Sequence, residues 1–67
     1  MKGRVIKLVQ TRGFGFVRDV GGRVIFFHRS ELRGTDFSAL DVGTNVEFES
    51  ENGPQGLRAV NIHRLEA

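Results

Sequence analysis

Turn-forming residues divide this chain into short apolar segments, and that interruption limits its possible folds more than any other feature. The strongest turn signals are Gly21-Gly22 and Asn52-Gly53-Pro54, because glycine accepts the positive φ angles that tight turns require. No segment between the turns keeps a helical period. The pattern therefore predicts five strands and an all-β barrel or sandwich. The predicted strand segments are 3–9, 14–18, 23–28, 45–50 and 57–65.

The span between the third and fourth segments is predicted to contain a short helical turn and a loop and no strand. Residues 30–33 predict one short helical turn with Ser30 as its cap. Residues 34–43 predict a long loop anchored by Phe37 and Leu40. Loops of that length inside compact domains are often functional.

Length and composition narrow the class of protein. The 67 residues suffice for a single domain, residues 1–67, with a small core. The chain has no cysteine, which excludes disulfides and thiolate metal sites and fits a reducing compartment. It has no apolar run of the kind found in signal peptides or membrane spans. We therefore expect a cytoplasmic protein that does not contact a membrane.

The charges are distributed unevenly along the chain. Residues 1–34 carry eight basic and two acidic side chains, a net charge of +6. Residues 35–67 carry two basic and six acidic side chains, a net charge of −4. This asymmetry indicates either a surface for polyanions or a solubilising surface that is merely uneven.

Side-chain alternation assigns the faces of the second and third segments. Val17 suits the core, and a period of two then turns Phe14 and Phe16 outward. Ile25 and Phe27 suit the core in the next segment. The side chains predicted to face outward are Phe14, Phe16, Phe26 and His28.

Three outward phenyl groups are unusual in so small a protein. Each outward phenyl group forgoes roughly 1.5–3 kcal/mol of the stabilisation that its burial would give. A contiguous exposed apolar patch usually marks a binding site. Flat rings with a basic rim suit single-stranded nucleic acid, in which each stacked base contributes about 1–3 kcal/mol. Two alternatives stay open, a surface for protein interaction or self-association, and rings that are simply part of the core.

Two motifs resemble those of the cold-shock domain family. RGFGFV at residues 12–17 resembles the family's first ribonucleoprotein motif, K-G-F-G-F-I, and IFFH at residues 25–28 resembles the second, V-F-V-H. The resemblance extends over essentially the whole chain. It implies a five-stranded antiparallel OB-fold barrel, binding of single-stranded RNA and DNA with low sequence specificity, and a role as an RNA chaperone.

The family's ligand-facing positions map onto this sequence. Arg12 stands where the first motif has lysine, and its guanidinium group can contact phosphate or stack on a base. The resemblance implies a nucleic-acid-binding role for Phe14, Phe16, Phe26, His28 and Phe37.

The first strand departs from the family pattern, K-W-F-N. Without a gap, Lys7 stands at the tryptophan position and Leu8 at that of the phenylalanine; a gap at residues 10–11 would instead move Leu8 to the tryptophan position. Either alignment leaves the strand without an aromatic residue. Arg29 likewise stands where the family usually has phenylalanine. We therefore add Lys7 and Arg29 to the predicted site and expect weaker, more salt-dependent binding than in relatives that carry tryptophan.

No set of residues suggests catalysis or a cofactor. The sequence lacks a Gly-rich phosphate loop, and its serines have no evident base. The chain's two histidines, His28 and His63, do not make a zinc site, which takes about four ligands. We expect a monomer that is not an enzyme, with a dimer formed by strand exchange through the loop after Arg33 as the alternative.

Overall fold

Five strands form one closed barrel in the computed structural model, which describes residues 1–54 and 56–65. The strands are β1 (Lys2–Val9), β2 (Phe14–Asp19), β3 (Val24–His28), β4 (Asn45–Gly53) and β5 (Gly56–Arg64). Their order around the barrel is β1-β2-β3-β5-β4. Neighbouring strands are antiparallel except for one parallel pairing between β3 and β5. The all-β fold with five strands confirms the sequence prediction.

The core is apolar and is filled from every strand. Side chains of β2 and β3 alternate between buried and accessible as the period of two predicts. Gly15 occupies a position where the strands come too close for a side chain, since a Cβ there would lie 2.5 Å from the Lys7 carbonyl oxygen and 2.9 Å from the Phe27 ring. The buried cluster comprises Val5, Val17, Ile25, Phe27, Leu40, Val46, Phe48, Ala59 and Ile62.

Two strands contain an irregularity that the sequence pattern did not predict. In β1, Val5 pairs with Val17 but Lys7 pairs with Phe16, so Ile6 is an extra residue in the ladder. This β-bulge reverses the alternation of β1 beyond Ile6.

The second irregularity lies in β5. There the pairing shifts against Glu47 and Glu49 of β4, and Asn61 adopts a left-handed φ of 50°. Ala59 and Ile62 therefore both reach the core although they are three positions apart, which strict alternation would not allow.

The connection from β3 to β4 contains two short 3-10 turns. The first, Arg29–Glu31, begins one residue earlier than the predicted helical turn. The prediction of Ser30 as its cap is wrong, because the Ser30 backbone N–H donates to Nδ1 of His28 at 3.2 Å. The second, Phe37–Ala39, lies within the predicted loop and precedes the buried Leu40.

Candidate nucleic-acid interface

The outer surface of β1, β2 and β3 carries two rows of cross-strand neighbours. Directly opposite residues in a sheet project from the same face, with Cβ atoms about 4.5–5.5 Å apart. One row contains Val9, Phe14 and His28, and the other contains Lys7, Phe16, Phe26 and Arg58. We call these seven residues the aromatic face.

Three phenyl rings form the centre of the aromatic face. The ring centroids of Phe14 and Phe26 are 5.5 Å apart, and those of Phe16 and Phe26 are 6.0 Å apart at an interplanar angle of 70°. Phe14 and Phe16 meet edge to face at 6.2 Å. These are ordinary separations for interacting aromatic pairs. The three rings therefore form one contiguous apolar surface.

The rings point outward as predicted, but they are less exposed than isolated side chains would be. Phe26 is 38% exposed, while Phe14 and Phe16 are half-buried. Each ring covers part of its neighbours, so the barrel forgoes less burial energy than three fully exposed phenyl groups would cost. The outward orientation also excludes the alternative that these rings belong to the core, which contains none of them.

The bulge at Ile6 determines which side chain of β1 joins the aromatic face. Lys7 is exposed and lies opposite Phe16, on the aromatic face. Leu8 lies opposite Gly15 and packs against the core. The position beside Phe16 therefore holds a cation and no stacking platform.

Arg58 belongs to this surface, although the sequence did not suggest it. It pairs with Phe26 across the short parallel contact that helps to close the barrel. Together with Phe16, Phe26, Pro54 and Leu57 it lines an open recess of about 420 Å³. Its Nε donates to Oε1 of Glu51 at 2.9 Å. The arginine comes from the acidic half of the chain, and only the closure of the barrel brings it here.

Arg12 and Arg29 lie at the end of the aromatic face nearest the β1–β2 turn. The turn is closed by the Gly13 N–H, which donates to the Val9 carbonyl at 2.9 Å. Arg29 is joined to the same turn, because its backbone N–H donates to the Gly13 carbonyl at 2.8 Å. Its side-chain stem also covers Gly13, where an added Cβ would lie 2.7 Å from the Arg29 Cδ. Both arginines are exposed.

Phe37 is separate from the three-ring cluster. Its ring is half-buried and lies 6.1 Å from that of the core residue Phe27. With Gln10, Arg29 and Ser38 it lines a second open recess of about 600 Å³. The predicted site residues thus fall into two groups, the aromatic face and this recess, except for Arg12, which belongs to neither and lies in the β1–β2 turn.

Most basic side chains of the site have no acidic partner among the residues that the structure describes. Ion pairs within residues 1–54 and 56–65 join Arg23 to Asp19, Arg33 to Glu31 and Arg58 to Glu51. Basic side chains outside those pairs, exposed around the rings, give this side of the barrel a positive rim that attracts polyanions. Those of the predicted site are Lys7, Arg12 and Arg29.

Asp19 holds the turn between β2 and β3, the two strands that carry the rings. The backbone N–H of Arg23 donates to its Oδ1 at 2.9 Å and the guanidinium Nε donates to its Oδ2 at 3.0 Å. The backbone hydrogen bond is the main cause that lowers the pKa of Asp19, although burial opposes it. The carboxylate is thus held ionised where the hairpin needs an acceptor.

Two further features are absent from the described part of the chain, a metal-binding cluster and a membrane-spanning helix. Within residues 1–54 and 56–65, no three His, Cys, Asp or Glu side chains are grouped as a metal site would require. No helix formed by these residues has the length and apolar character needed to cross a membrane.

Comparisons with known proteins agree on one family. The family model described as "'Cold-shock' DNA-binding domain" matches residues 1–65. The cold shock-like protein CspC of Buchnera aphidicola is 39% identical over 66 residues, covering 97% of this chain and 96% of that protein. The cold shock-like protein CspE of Bacillus anthracis is 38% identical over 65 residues, with 97% of each chain covered.

A solved structure agrees with the sequence comparisons. Drosophila Unr CSD456 superimposes with a TM-score of 0.78 at 30% identity, over 97% of this chain. The present chain spans 26% of that longer chain. The five-stranded barrel is therefore of the same fold as a cold-shock domain, the OB fold.

Proposed function

The chain belongs to the cold-shock DNA-binding domain family, and we propose that its aromatic face binds single-stranded RNA or DNA. Membership of the family supports nucleic-acid binding in general. The contiguous cluster of Phe14, Phe16 and Phe26, beside Lys7, is the observation that carries the proposal for single strands. Unpaired bases can stack on such rings, whereas bases inside a duplex cannot reach them.

Low sequence specificity is part of the proposal. Every base has a π face, so stacking does not distinguish bases strongly. Sequence is read by hydrogen bonds to base edges. Few polar groups lie within the two rows of the aromatic face, namely Lys7, His28 and Arg58, and Arg58 is already engaged by Glu51.

The balance of forces should differ from that in family members with a tryptophan in the first strand. Lys7 beside Phe16, and Arg29 against the β1–β2 turn, offer charge where an aromatic ring would offer stacking. Stacking is worth about 1–3 kcal/mol per base. Charge contributes mainly at low salt, because binding releases counterions from the phosphates. Binding should therefore be weaker than in those relatives and more salt-dependent.

A protein with this activity acts as an RNA chaperone without catalysing a reaction. Binding to unpaired strands and not to duplexes shifts the pairing equilibrium by mass action, by RT ln(1 + [L]/Kd). No ATP and no catalytic residue are needed. We propose this role for a monomer in the cytoplasm, with Phe37, Arg12 and Arg29 extending the contact beyond the aromatic face.

The experiment is a binding titration with labelled oligonucleotides, in which fluorescence anisotropy measures the bound fraction. The chain has no tryptophan or tyrosine, so the label must be on the oligonucleotide. We expect saturable binding of oligo-dT and oligo-U and at least tenfold weaker binding of a blunt duplex of equal length. Equal affinity for the duplex would contradict the proposal. Absence of binding, together with a molecular mass that rises with protein concentration, would favour a protein-interaction module instead.

A further inference from the structure

A third row of cross-strand neighbours follows the aromatic face, toward the β2–β3 turn. Arg4 of β1 lies directly opposite Arg18 of β2, and Arg18 lies opposite Val24 of β3. Asn45 of β4 is on the other side of Arg4. The position of Arg18, two residues after Phe16, puts it on the same face of β2, about 7 Å farther along the strand. Two guanidinium groups therefore extend the surface that carries the rings.

This pairing of like charges is unfavourable in the protein alone. Directly opposite side chains of the same charge destabilise a sheet. Neither Arg4 nor Arg18 has an ion-pair partner within residues 1–54 and 56–65. The neighbouring carboxylate, that of Asp19, is turned away from them into the hairpin, where it accepts two hydrogen bonds from Arg23. A bound anion would remove the repulsion.

The surroundings of the two arginines leave room for such an anion. Arg4 and Arg18 line one open recess of about 520 Å³. Lys2 contributes a third cation to its wall, and Ile6 and Leu65 contribute apolar surface. Both arginines are exposed, so their guanidinium groups are accessible from solvent.

We propose that Arg4 and Arg18 together bind a backbone phosphate of the single strand that stacks on the aromatic face. The inference rests on the proposed function and deepens it. It predicts that the nucleic-acid strand lies along β2, from Phe14 past Phe16 to the arginine pair. Guanidinium groups suit this ligand, since their planar arrays of N–H donors match phosphate oxygens. The ligand is a phosphodiester of the same strand and not a free anion.

The test compares wild type with the variant Arg4→Gln/Arg18→Gln against oligo-dT of increasing length, from about 4 to about 12 nucleotides, the range that one OB fold covers. We expect the variant to match wild type for the shortest strands and to lose about tenfold in affinity once the strand is long enough to reach the pair. The slope of log K against log salt should fall by about 0.7 for one phosphate, and only for the longer strands.

A charge-matched control separates this contact from a general loss of positive charge. Arg33→Gln/Arg64→Gln removes the same total charge while leaving the arginine pair and Lys2 intact. The guanidinium of Arg33 is already held by Glu31 and by the Ser30 carbonyl, and Arg64 of β5 is exposed and does not line the recess. We expect this control to lose less affinity than the test variant, with no threshold in strand length.

The outcomes separate this inference from the proposed function. If wild type binds strands but the test variant loses nothing, or loses the same at every length, the phosphate contact is wrong and the proposed function stands. If wild type binds no strand, both fail. Inorganic phosphate that binds wild type as tightly as the longer oligonucleotides do would show a site for free anions and overturn the inference.

A measurement without ligand tests the repulsion itself. The single variant Arg18→Gln should unfold at a temperature equal to or higher than that of wild type at low salt, and the difference should vanish at high salt, because salt screens exposed charges. A marked drop in the unfolding temperature would mean that Arg18 stabilises the fold, which contradicts the inference.

Discussion

Lys7 lies directly opposite Phe16 across the β1–β2 ladder because β1 contains one extra residue, Ile6, after Val5. Without that bulge the alternation from Val5 would turn Lys7 toward the core and Leu8 outward. The bulge therefore determines which side chain of β1 stands beside the phenyl rings. In this chain it is a cation, which adds to the expected dependence of binding on salt.

Replacing Lys7 with tryptophan should strengthen binding. Lys7→Trp would add a stacking platform beside Phe16, worth about 1–3 kcal/mol per stacked base. It would also remove a charge, so the salt dependence should become shallower by up to about 0.7 in the log–log slope. Anisotropy titrations at several salt concentrations measure both effects.

Leu8→Trp is the matched control for this gain. Leu8 packs against the core opposite Gly15, so a tryptophan there should overpack the barrel and cost about 1–3 kcal/mol of stability. Stronger binding by Leu8→Trp than by Lys7→Trp would contradict the register of β1 described above.

Adjacent phenylalanines of β3 should respond in opposite ways to truncation. Phe26→Ala should weaken binding of oligo-dT by about 1–3 kcal/mol and cost less stability than truncation of a core ring, because the Phe26 ring is 38% exposed. Phe27→Ala should destabilise the fold by about 3–5 kcal/mol, because Phe27 is fully buried. Thermal unfolding and anisotropy distinguish the two variants. A collapse of the unfolding temperature in Phe26→Ala would mean that its ring supports the core.

Removing the acidic partner of Arg58 should increase affinity. Glu51 accepts hydrogen bonds from the Arg58 guanidinium beside Phe26. Glu51→Gln would free the Arg58 guanidinium to contact a phosphate of the nucleic acid. Loss of the ion pair should cost little stability, because an exposed ion pair of this kind contributes only about 0–1 kcal/mol. We expect a few-fold tighter binding at low salt. The control Glu49→Gln removes the same charge from β4 outside this ion pair and should have a smaller effect. Equal gains from both variants would indicate only a change in net charge.

The stability of the β2–β3 hairpin should depend on pH through Asp19. The hydrogen bonds from Arg23 lower the pKa of Asp19 in the folded protein, so ionised Asp19 stabilises the fold above the ordinary aspartate pKa of about 3.9. That contribution is lost as the pH falls from about 3.9 through the lower folded value. Asp19→Asn should therefore unfold at a lower temperature than wild type at neutral pH, and the difference should narrow below about pH 4.

Asp41→Asn provides the comparison for this pH dependence. Asp41 is exposed in the loop before β4 and has no ion pair within residues 1–54 and 56–65. Its variant should unfold at nearly the same temperature as wild type at neutral pH, because the Asp41 carboxylate has no ion pair to lose among the described residues. A difference between Asp19→Asn and wild type that stays constant down to the lowest pH would show that the carboxylate charge is not responsible.

Sequence reasoning succeeded where local rules decide the outcome. The turn residues and a period of two predicted all five strands and the faces of β2 and β3, because each of these strands alternates without interruption. The outward orientation of Phe14, Phe16 and Phe26 followed from the inward position of Val17 and Ile25. Their binding role stays a prediction.

Sequence reasoning failed where the register between strands or the closure of the barrel decides the position of a side chain. The bulge at Ile6 and the left-handed Asn61 arise from fitting strands around a closed barrel, and a single strand's pattern carries little sign of either. Arg58 was missed for the same reason, since its neighbour Phe26 is distant in sequence. Serine is a preferred N-cap residue, which favoured Ser30 in the sequence, but the cap of the first 3-10 turn is His28.

The most direct test of the central claim is a titration of isotope-labelled protein with oligo-dT, monitored through the chemical shifts of the backbone amides. If the aromatic face binds single strands, saturable shifts should concentrate in β2 and β3, around Phe14, Phe16 and Phe26, and spread to Lys7 and Arg58. Amides of residues 47–50 in β4 should change little. Saturable shifts confined to β4, or no saturable shifts at concentrations where the oligonucleotide is in large excess, would contradict the claim.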